Sequence, residues 1–315
     1  LTPGRMQRGF HGPVSTVFAG AVTAARLMRL DAAQTTQAIA LAASSAAGMA
    51  IAADTSCARE YHAGLAALLG VQAALAAGAG FEGEPAVLEA PRGFFEAFNG
   101  QAVEEVVRDL GQSWDIVTDM AIKLMPGAHP FHAIAEAAIE AATAADLRPE
   151  QVRRVVISAP QLAVWHAQAV APQDLVGAAH SVPYFVAAAV VHRHIDWDLL
   201  SPARMQDPAI LALLPRVVFD PDPPPLPDRF PHRHGGTVTL ERPDGSRVRR
   251  TCTAPRGAGA RGIEWADVDA KYRRLAPAAG LSPAQVEESL ELLHGFERAR
   301  DVRQLTRLLC VHRPS

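Results

Sequence analysis

The stretch Arg154-Val155-Val156-Ile157-Ser158 decides the fold class, because it interrupts a chain whose other patterns are mainly helical. Its run of β-branched side chains predicts a strand. The segments on either side, 134–145 and 182–192, predict helices. A strand between two helices indicates a mixed α/β region in the middle of the chain.

A second β element follows a proline-dense stretch at 221–231, which predicts a loop or linker. Residues 237–240 and 247–251 alternate in polarity, and Pro243-Asp244-Gly245 between them is a strong turn signal. We therefore predict a β-hairpin in the same mixed region.

Both ends of the chain have helical patterns. Helices are predicted at 13–30, 32–52, 59–77, 265–275, 283–298 and 301–309, with Asp31 as an N-cap. The uncharged stretch 63–81 is long enough to span a bilayer. It consists mostly of Ala and Gly, so we favour a tightly packed helix of a soluble core and expect no membrane partner.

The order of these patterns predicts a mainly α protein with an inserted α/β domain. The 315 residues suffice for one large core or for two domains. We expect a helical domain from residues 1–118 and again from 256–315, with the α/β domain at 119–255.

Composition excludes several classes of function. A net charge of −3 without a basic face argues against a nucleic-acid partner. Cys57, Cys252 and Cys310 lie far apart and show no CxxC spacing, which argues against a disulfide framework and a zinc site. A reducing compartment, the cytoplasm, fits this usage.

The loop at 123–132 is the strongest candidate for chemistry, because it carries Lys123, His129 and His132 with two prolines that stiffen it. Lysine occurs at only two positions in the chain. A rigid loop with these side chains is a credible acid/base or anion-binding element. A metal is the alternative, but no carboxylate or cysteine has ligand spacing to the histidines. His129 could also simply bond the loop backbone.

Two earlier segments are weaker candidates. His11 precedes a helix whose first turn holds Ser15 and Thr16, and such a turn suits a carboxylate ligand. Spacing alone favours plain helix capping by these two hydroxyls. Arg59 and His62 are three residues apart and share a helix face, which could hold an anion or form a solvated surface.

Two further features receive no role in the site. The segment His232-Arg233-His234-Gly235-Gly236 predicts a solvated turn between the proline stretch and the hairpin. Lys271 is the second lysine of the chain, and no function is assigned to it.

Six segments, taken in order and spacing, resemble the MmgE/PrpD family over nearly all of the chain. They are Gly9-Phe10-His11 with Ser15-Thr16, Tyr61-His62-Ala63-Gly64, Gly93-Phe94-Phe95-Glu96-Ala97-Phe98, Lys123 with Pro126 and His132, Ser181-Val182-Pro183-Tyr184-Phe185-Val186-Ala187, and Asp267-Val268-Asp269-Ala270-Lys271-Tyr272-Arg273.

The resemblance implies a large all-helical domain, built from both ends of the chain, with a smaller α/β lid inserted. Family members include 2-methylcitrate dehydratase, cis-aconitate decarboxylase and iminodisuccinate epimerase. They need no metal or other cofactor, and their site lies between the two domains. We also expect a homodimer formed through the helical domain.

The resemblance also implies roles for individual residues. His11, Lys123 and His132 are expected to be catalytic, and a second group is expected to bind substrate: Ser15, Thr16, Arg59, His62 and His129. Arg59 falls where the family usually has lysine, and its guanidinium keeps its charge and so cannot donate a proton at neutral pH.

From the family's typical activity we expect a lyase that dehydrates a 2-methylcitrate-like polycarboxylate in propionate metabolism. An epimerase or a decarboxylase acting on a related acid is the alternative. An inactive scaffold or binding protein is a third possibility. It is favoured by Arg59 and by the expected lack of the family's first helices, which carry an aspartate and a histidine of the site.

Overall fold

The computed structural model describes residues 9–46, 48–56, 58–99, 107–160, 171–227 and 230–310. The chain forms two compact units, Leu1–Ser113 and Trp114–Ser315. We predicted that residues 256–315 belong to the helical domain formed by residues 1–118. This stays a prediction. Cys57 lies outside the described residues.

The described part of the first unit is helical. Its helices are α1 (Pro13–Leu27), α2 (Ala32–Ala43), α3 (Ala50–Thr55), α4 (Ala58–Gly78) and α5 (Phe94–Asn99). Asp31 caps α2 as predicted, since its carboxylate accepts a hydrogen bond of 2.8 Å from the Gln34 backbone N–H.

One predicted helix is wrong. The segment 32–52 does not form a single helix, because α2 ends at Ala43 and a new helix, α3, begins at Ala50. Gly48 lies between them with φ +135°, a backbone conformation that glycine adopts and an α-helix cannot continue.

Helices α1 and α4 approach each other closely through glycines. A Cβ atom at Gly70 would lie 2.3 Å from the Val17 carbonyl oxygen, so this crossing requires glycine. The predicted close packing of small side chains is thus confirmed at this crossing, whereas Leu68 and Leu75 of the same helix are exposed. Within the described residues, α4 is also the helix whose length and composition would allow it to cross a membrane, which is weak evidence by itself.

The second unit combines helices with a small sheet. Its helices are α6 (Asp115–Thr118), α7 (His132–Ala144), α8 (Leu175–Ala179), α9 (Val182–His192), α10 (Pro202–Met205), α11 (Pro208–Leu213), α12 (Trp265–Leu275), α13 (Pro283–His294) and α14 (Arg303–Leu308). Its strands are β1 (Arg154–Ser158), β2 (Val217–Phe219), β3 (Gly236–Glu241) and β4 (Arg247–Cys252).

The four strands form a mixed sheet in the order β2-β1-β3-β4. Strand β1 runs parallel to β2 and antiparallel to β3, with Val156 opposite Thr239. Strands β3 and β4 form the predicted hairpin, whose turn at Asp244 and Gly245 is exposed.

The core of this unit lies between the sheet and helices α7 and α9. Val155 and Ile157 of β1 and Val238 and Leu240 of β3 are fully buried. Helix α9 is apolar around its whole circumference, which is typical of a helix surrounded by protein. The prediction of a mainly α protein with a smaller α/β part is therefore confirmed, and the lid arrangement stays a prediction.

Candidate functional site

The loop before α7 is held in shape by one lysine and one glycine. Lys123 Nζ donates a hydrogen bond of 2.8 Å to the Gly127 carbonyl oxygen. Gly127 has φ +86°, and a Cβ there would lie 2.2 Å from the buried Phe185 ring. Any larger residue would push the loop away from α9, so the position of Lys123 depends on this glycine.

The two histidines of the loop are brought together by a short 3-10 helix, His129–Phe131, that leads directly into α7. Phe131 is fully buried and meets Phe185 edge-on at 5.6 Å between ring centroids. This anchor places the ring centroids of His129 and His132 5.2 Å apart.

A third histidine joins this pair. His234 lies 5.7 Å from His129 between ring centroids, and Phe230 packs against both rings at 5.8 and 5.4 Å. The prediction of a solvated turn is wrong for His234, because the segment His232–His234 forms a half-buried 3-10 helix. The only signal in the sequence was the density of histidines after the proline stretch.

Burial keeps all three rings neutral. The pKa of His129 is lowered to about 4 by burial and then by the charge of Lys123. The pKa of His132 is lowered to about 3 by burial, then by His129 and Lys123, against a hydrogen bond to the Pro126 backbone that raises it. The pKa of His234 is lowered to about 4 by burial, then by Arg233 and His129. At neutral pH these imidazoles are therefore acceptors and potential bases rather than cations.

Several ring nitrogens of this cluster are available to a ligand. Within the described residues, neither nitrogen of His129 has a hydrogen-bond partner, and neither has Nε2 of His132 nor Nδ1 of His234. His132 is 1% exposed, so its Nε2 is a buried polar atom that a substrate group or a proton would satisfy.

No metal centre is evident in the described part of the chain. No group of three or more His, Cys, Asp or Glu side chains there is arranged to hold a metal ion. The expectation of metal-free chemistry nevertheless stays a prediction that needs metal analysis.

In the first unit, His11 and His62 lie around Gly48. The His11 backbone N–H donates to the Gly48 carbonyl oxygen at 3.0 Å, and a Cβ at Gly48 would lie 3.7 Å from His62 Nδ1. A cavity of about 250 Å³ is lined by His62, Gly48 and Ser45 among other residues. This unit thus brings two of the candidate site residues to one place.

The remaining candidates of the first unit have local partners. Ser15 Oγ donates to the Gly12 carbonyl at 3.0 Å and Thr16 Oγ1 donates to the Pro13 carbonyl at 3.3 Å. Neither hydroxyl caps a free amide of α1, contrary to the capping interpretation. Arg59 Nε donates to the Ala53 carbonyl at 3.1 Å. The predicted convergence of these residues with Lys123 and His132 stays a prediction.

Comparison with known proteins extends over both units. The model of the MmgE/PrpD N-terminal domain matches residues 2–106, and that of the MmgE/PrpD C-terminal domain matches residues 125–294. The chain is also similar to cis-aconitate decarboxylase of Homo sapiens, with 27% identity over 312 residues. That match covers 96% of this chain and 63% of the human protein, so the chain spans less than two thirds of its relative's length.

Proposed function

Because the chain belongs to the MmgE/PrpD family, we propose that it is a lyase that acts on a small polycarboxylic acid at the loop carrying Lys123, His129 and His132. The family and its cis-aconitate decarboxylase relative support lyase-type chemistry. The substrate and the bond that breaks are proposals.

One observation carries the proposal: the Lys123 ammonium lies close enough to His129 and His132 to contribute, after burial, to lowering their pKa values to about 4 and 3, and His234 packs against His129. Burial, the largest cause of these shifts, disfavours charge of either sign, and the ammonium of Lys123 is what favours an anion over a further cation. A bound carboxylate would raise the pKa values of the histidines, because an opposite charge nearby stabilises the imidazolium. The site therefore becomes a better set of bases when an anionic substrate enters it.

We assign carboxylate binding to Lys123 and proton transfer to His132. An ammonium donor to a carboxylate is a charge-assisted hydrogen bond, which is stronger than a neutral one. His132 Nε2 is a buried nitrogen that has no partner among the described residues, whereas the ring also bonds the Pro126 backbone. His129 completes the binding surface, and the roles of His11 and Arg59 are proposals that rest on the family resemblance alone.

Dehydration of a 2-methylcitrate-like acid is the first candidate reaction, since it is the family's typical activity. A base removes a proton from the carbon beside a carboxylate, the electron pair forms a C=C bond, and the hydroxyl leaves with a proton as water. The negative charge that develops next to the carboxylate is stabilised by nearby cations such as Lys123.

Decarboxylation is the second candidate, because the similar human protein is a cis-aconitate decarboxylase. Here the bond between carbon and a carboxylate breaks and CO2 leaves. The electron pair stays on carbon until a proton arrives, which His132 could deliver after taking it from solvent.

The working form of the protein is also a proposal. The resemblance supports a cytoplasmic homodimer, joined through the helical domain, that needs no cofactor. Epimerisation of a related acid and an inactive scaffold rank below the two lyase reactions. The main argument for the scaffold is Arg59 in a position that is usually lysine.

A turnover panel distinguishes these candidates. The full chain is incubated with 2-methylcitrate, citrate, cis-aconitate and iminodisuccinate, and products are identified by proton NMR. An alkene with release of water supports dehydration, CO2 release supports decarboxylation, and inversion without loss of a group supports epimerisation. No product from any of these acids contradicts the proposal. The variant Arg249→Gln changes an exposed residue of β4 and is the control for every site variant assayed on this panel.

A further inference from the structure

A second lysine marks a different cavity of the Trp114–Ser315 unit. Lys271 lies on α12, and its Nζ is 5.1 Å from the centroid of the Trp197 ring, a cation–π contact. Asp267 and Arg274 are four residues before and three residues after it, so the three side chains share one face of the helix.

This helix face forms one wall of a cavity of about 470 Å³, a size typical of small-molecule sites. The opposite walls are the segment 193–197 and two residues of the loop before α7, Leu124 and Met125. The wall is apolar at Leu124, Met125, Ile139, Ile195, Trp197 and Ala270. None of its residues belongs to the cluster of Lys123, His129, His132 and His234.

The arginines around the cavity are neutralised by neighbouring carboxylates. Arg274 pairs with Asp196 at 3.2 Å, and Arg256 pairs with Asp267. Arg193 pairs with Asp146 at 2.7 Å, outside the cavity.

Glu136 is the remaining carboxylate of the wall, and its Oε2 forms a salt bridge of 2.6 Å with Arg261 Nη1. Lys271 is different, because within the described residues no carboxylate lies within salt-bridge distance of it. Among the described charged side chains of the wall, the Lys271 ammonium is therefore the one without a carboxylate partner.

We propose that this cavity binds a small organic monocarboxylate, with its carboxylate at Lys271 and its apolar body against Trp197 and Met125. The single unpaired charge of Lys271 matches the single carboxylate of such an acid. The apolar wall disfavours a ligand with several charged groups. A polycarboxylate or phosphate would place further charges against Leu124 and Ile195, and the arginines of the wall are already paired with carboxylates.

The cavity adjoins the loop that carries the candidate site. Leu124 and Met125 line the cavity and follow Lys123 directly in the chain. The charge of Lys271 is also one of the causes that lower the pKa of His132. An occupant therefore contacts the same loop that presents Lys123.

The scarcity of lysine makes the test simple, because Lys271 and Lys123 are the only two lysine side chains. The full chain is treated briefly with an acylating reagent, and modification of each lysine is measured by peptide mass spectrometry. The titration uses butyrate at constant ionic strength, adjusted with sodium chloride. An added model amine, Nα-acetyllysine amide, is the internal reference, because Lys123 is itself assigned to carboxylate binding.

We expect butyrate at about 20 mM to slow acylation of Lys271 about fivefold, as mass action gives for a Kd of about 5 mM. Acylation of the added model amine should change little. No protection of Lys271, or equal slowing at Lys271 and the model amine, overturns the proposal. Equal protection by butyrate and inorganic phosphate also overturns it, since this would indicate general anion attraction.

Calorimetric titration with butyrate gives a second readout. Lys271→Gln should abolish the heat of binding, and the matched Arg249→Gln variant should retain it. Binding that survives Lys271→Gln contradicts the assignment. The result is separate from the proposed lyase activity, whose failure would appear in the turnover panel while protection of Lys271 persisted.

Discussion

The ring centroids of His129 and His132 lie 5.2 Å apart with planes inclined by 53°, and Lys123 lowers the pKa of both. Two neutral bases and one cation therefore occupy a single loop. That combination is what carbon-acid chemistry beside a carboxylate requires, since the developing charge and the moving proton need separate groups.

Lys123→Ala should weaken substrate binding more than turnover. A hydrogen bond to a charged group contributes about 1.5–3 kcal/mol, so KM should rise about tenfold to 150-fold. Steady-state kinetics on the substrate found in the panel measure this change. Arg249→Gln is the control, and a normal KM in Lys123→Ala would show that this lysine does not bind the carboxylate.

The Gly127→Ala variant should unfold at a lower urea concentration than the wild-type chain. The added Cβ meets the Phe185 ring, and the positive φ is unfavourable for alanine. Gly245→Ala is the matched control, because Gly245 has φ +85° with nothing within 4 Å of its would-be Cβ.

The difference between these two variants isolates the contact with Phe185. We expect Gly127→Ala to lose about 1–3 kcal/mol more unfolding free energy than Gly245→Ala, as overpacking of a core does. Equal losses of unfolding free energy in the two variants would mean that the loop accommodates the added Cβ without strain against Phe185.

Local patterns predicted much of the fold. Strand β1 and helices α9 and α12 have the predicted limits, because β-branched runs and apolar periodicity determine such elements without distant contacts. The break between α2 and α3 was missed, since the apolar pattern runs on without interruption. The positive φ of Gly48 becomes evident only in three dimensions.

The candidate site was only partly predictable for the same reason. Lys123, His129 and His132 share one loop, so their proximity follows from the sequence. His234 is distant in the chain and reaches His129 only because β3 pairs with β1 beside α7. A local sequence pattern cannot predict a contact between such distant residues. The segment 232–236 was therefore wrongly predicted to be a solvated turn.

His234→Ala tests the residue that the sequence prediction missed. It removes the ring contacts with His129 and Phe230, which are worth about 0.5–1.5 kcal/mol of stability. If His234 helps to position His129, kcat/KM should fall about tenfold, or about 1.4 kcal/mol. His232→Ala in the same turn is the control, and equal effects of the two variants would assign His234 no special position.

The three histidines also predict how stability depends on pH. In the unfolded chain they titrate near their ordinary pKa of about 6.5. In the folded chain the pKa values of His129, His132 and His234 are lowered to about 4, 3 and 4. Below pH about 6.5 the unfolded state binds more protons, so the free energy of unfolding should fall as pH decreases toward 4.

Urea denaturation at pH 7, 6 and 5 measures this slope. A variant without one of the rings, such as His129→Gln, should show a shallower decline than the wild-type chain. Identical slopes would mean that His129 titrates normally in the folded protein.

The measurement that tests the central claim most directly is kcat of His132→Asn on the substrate found in the panel. The asparagine amide can retain the bond of Nδ1 to the Pro126 backbone while Nε2 is lost. We predict that kcat falls about 10²-fold to 10⁴-fold, the usual contribution of a general acid or base, with an unchanged circular dichroism spectrum. A folded His132→Asn variant that turns over at the wild-type rate would contradict the assignment of proton transfer to this site.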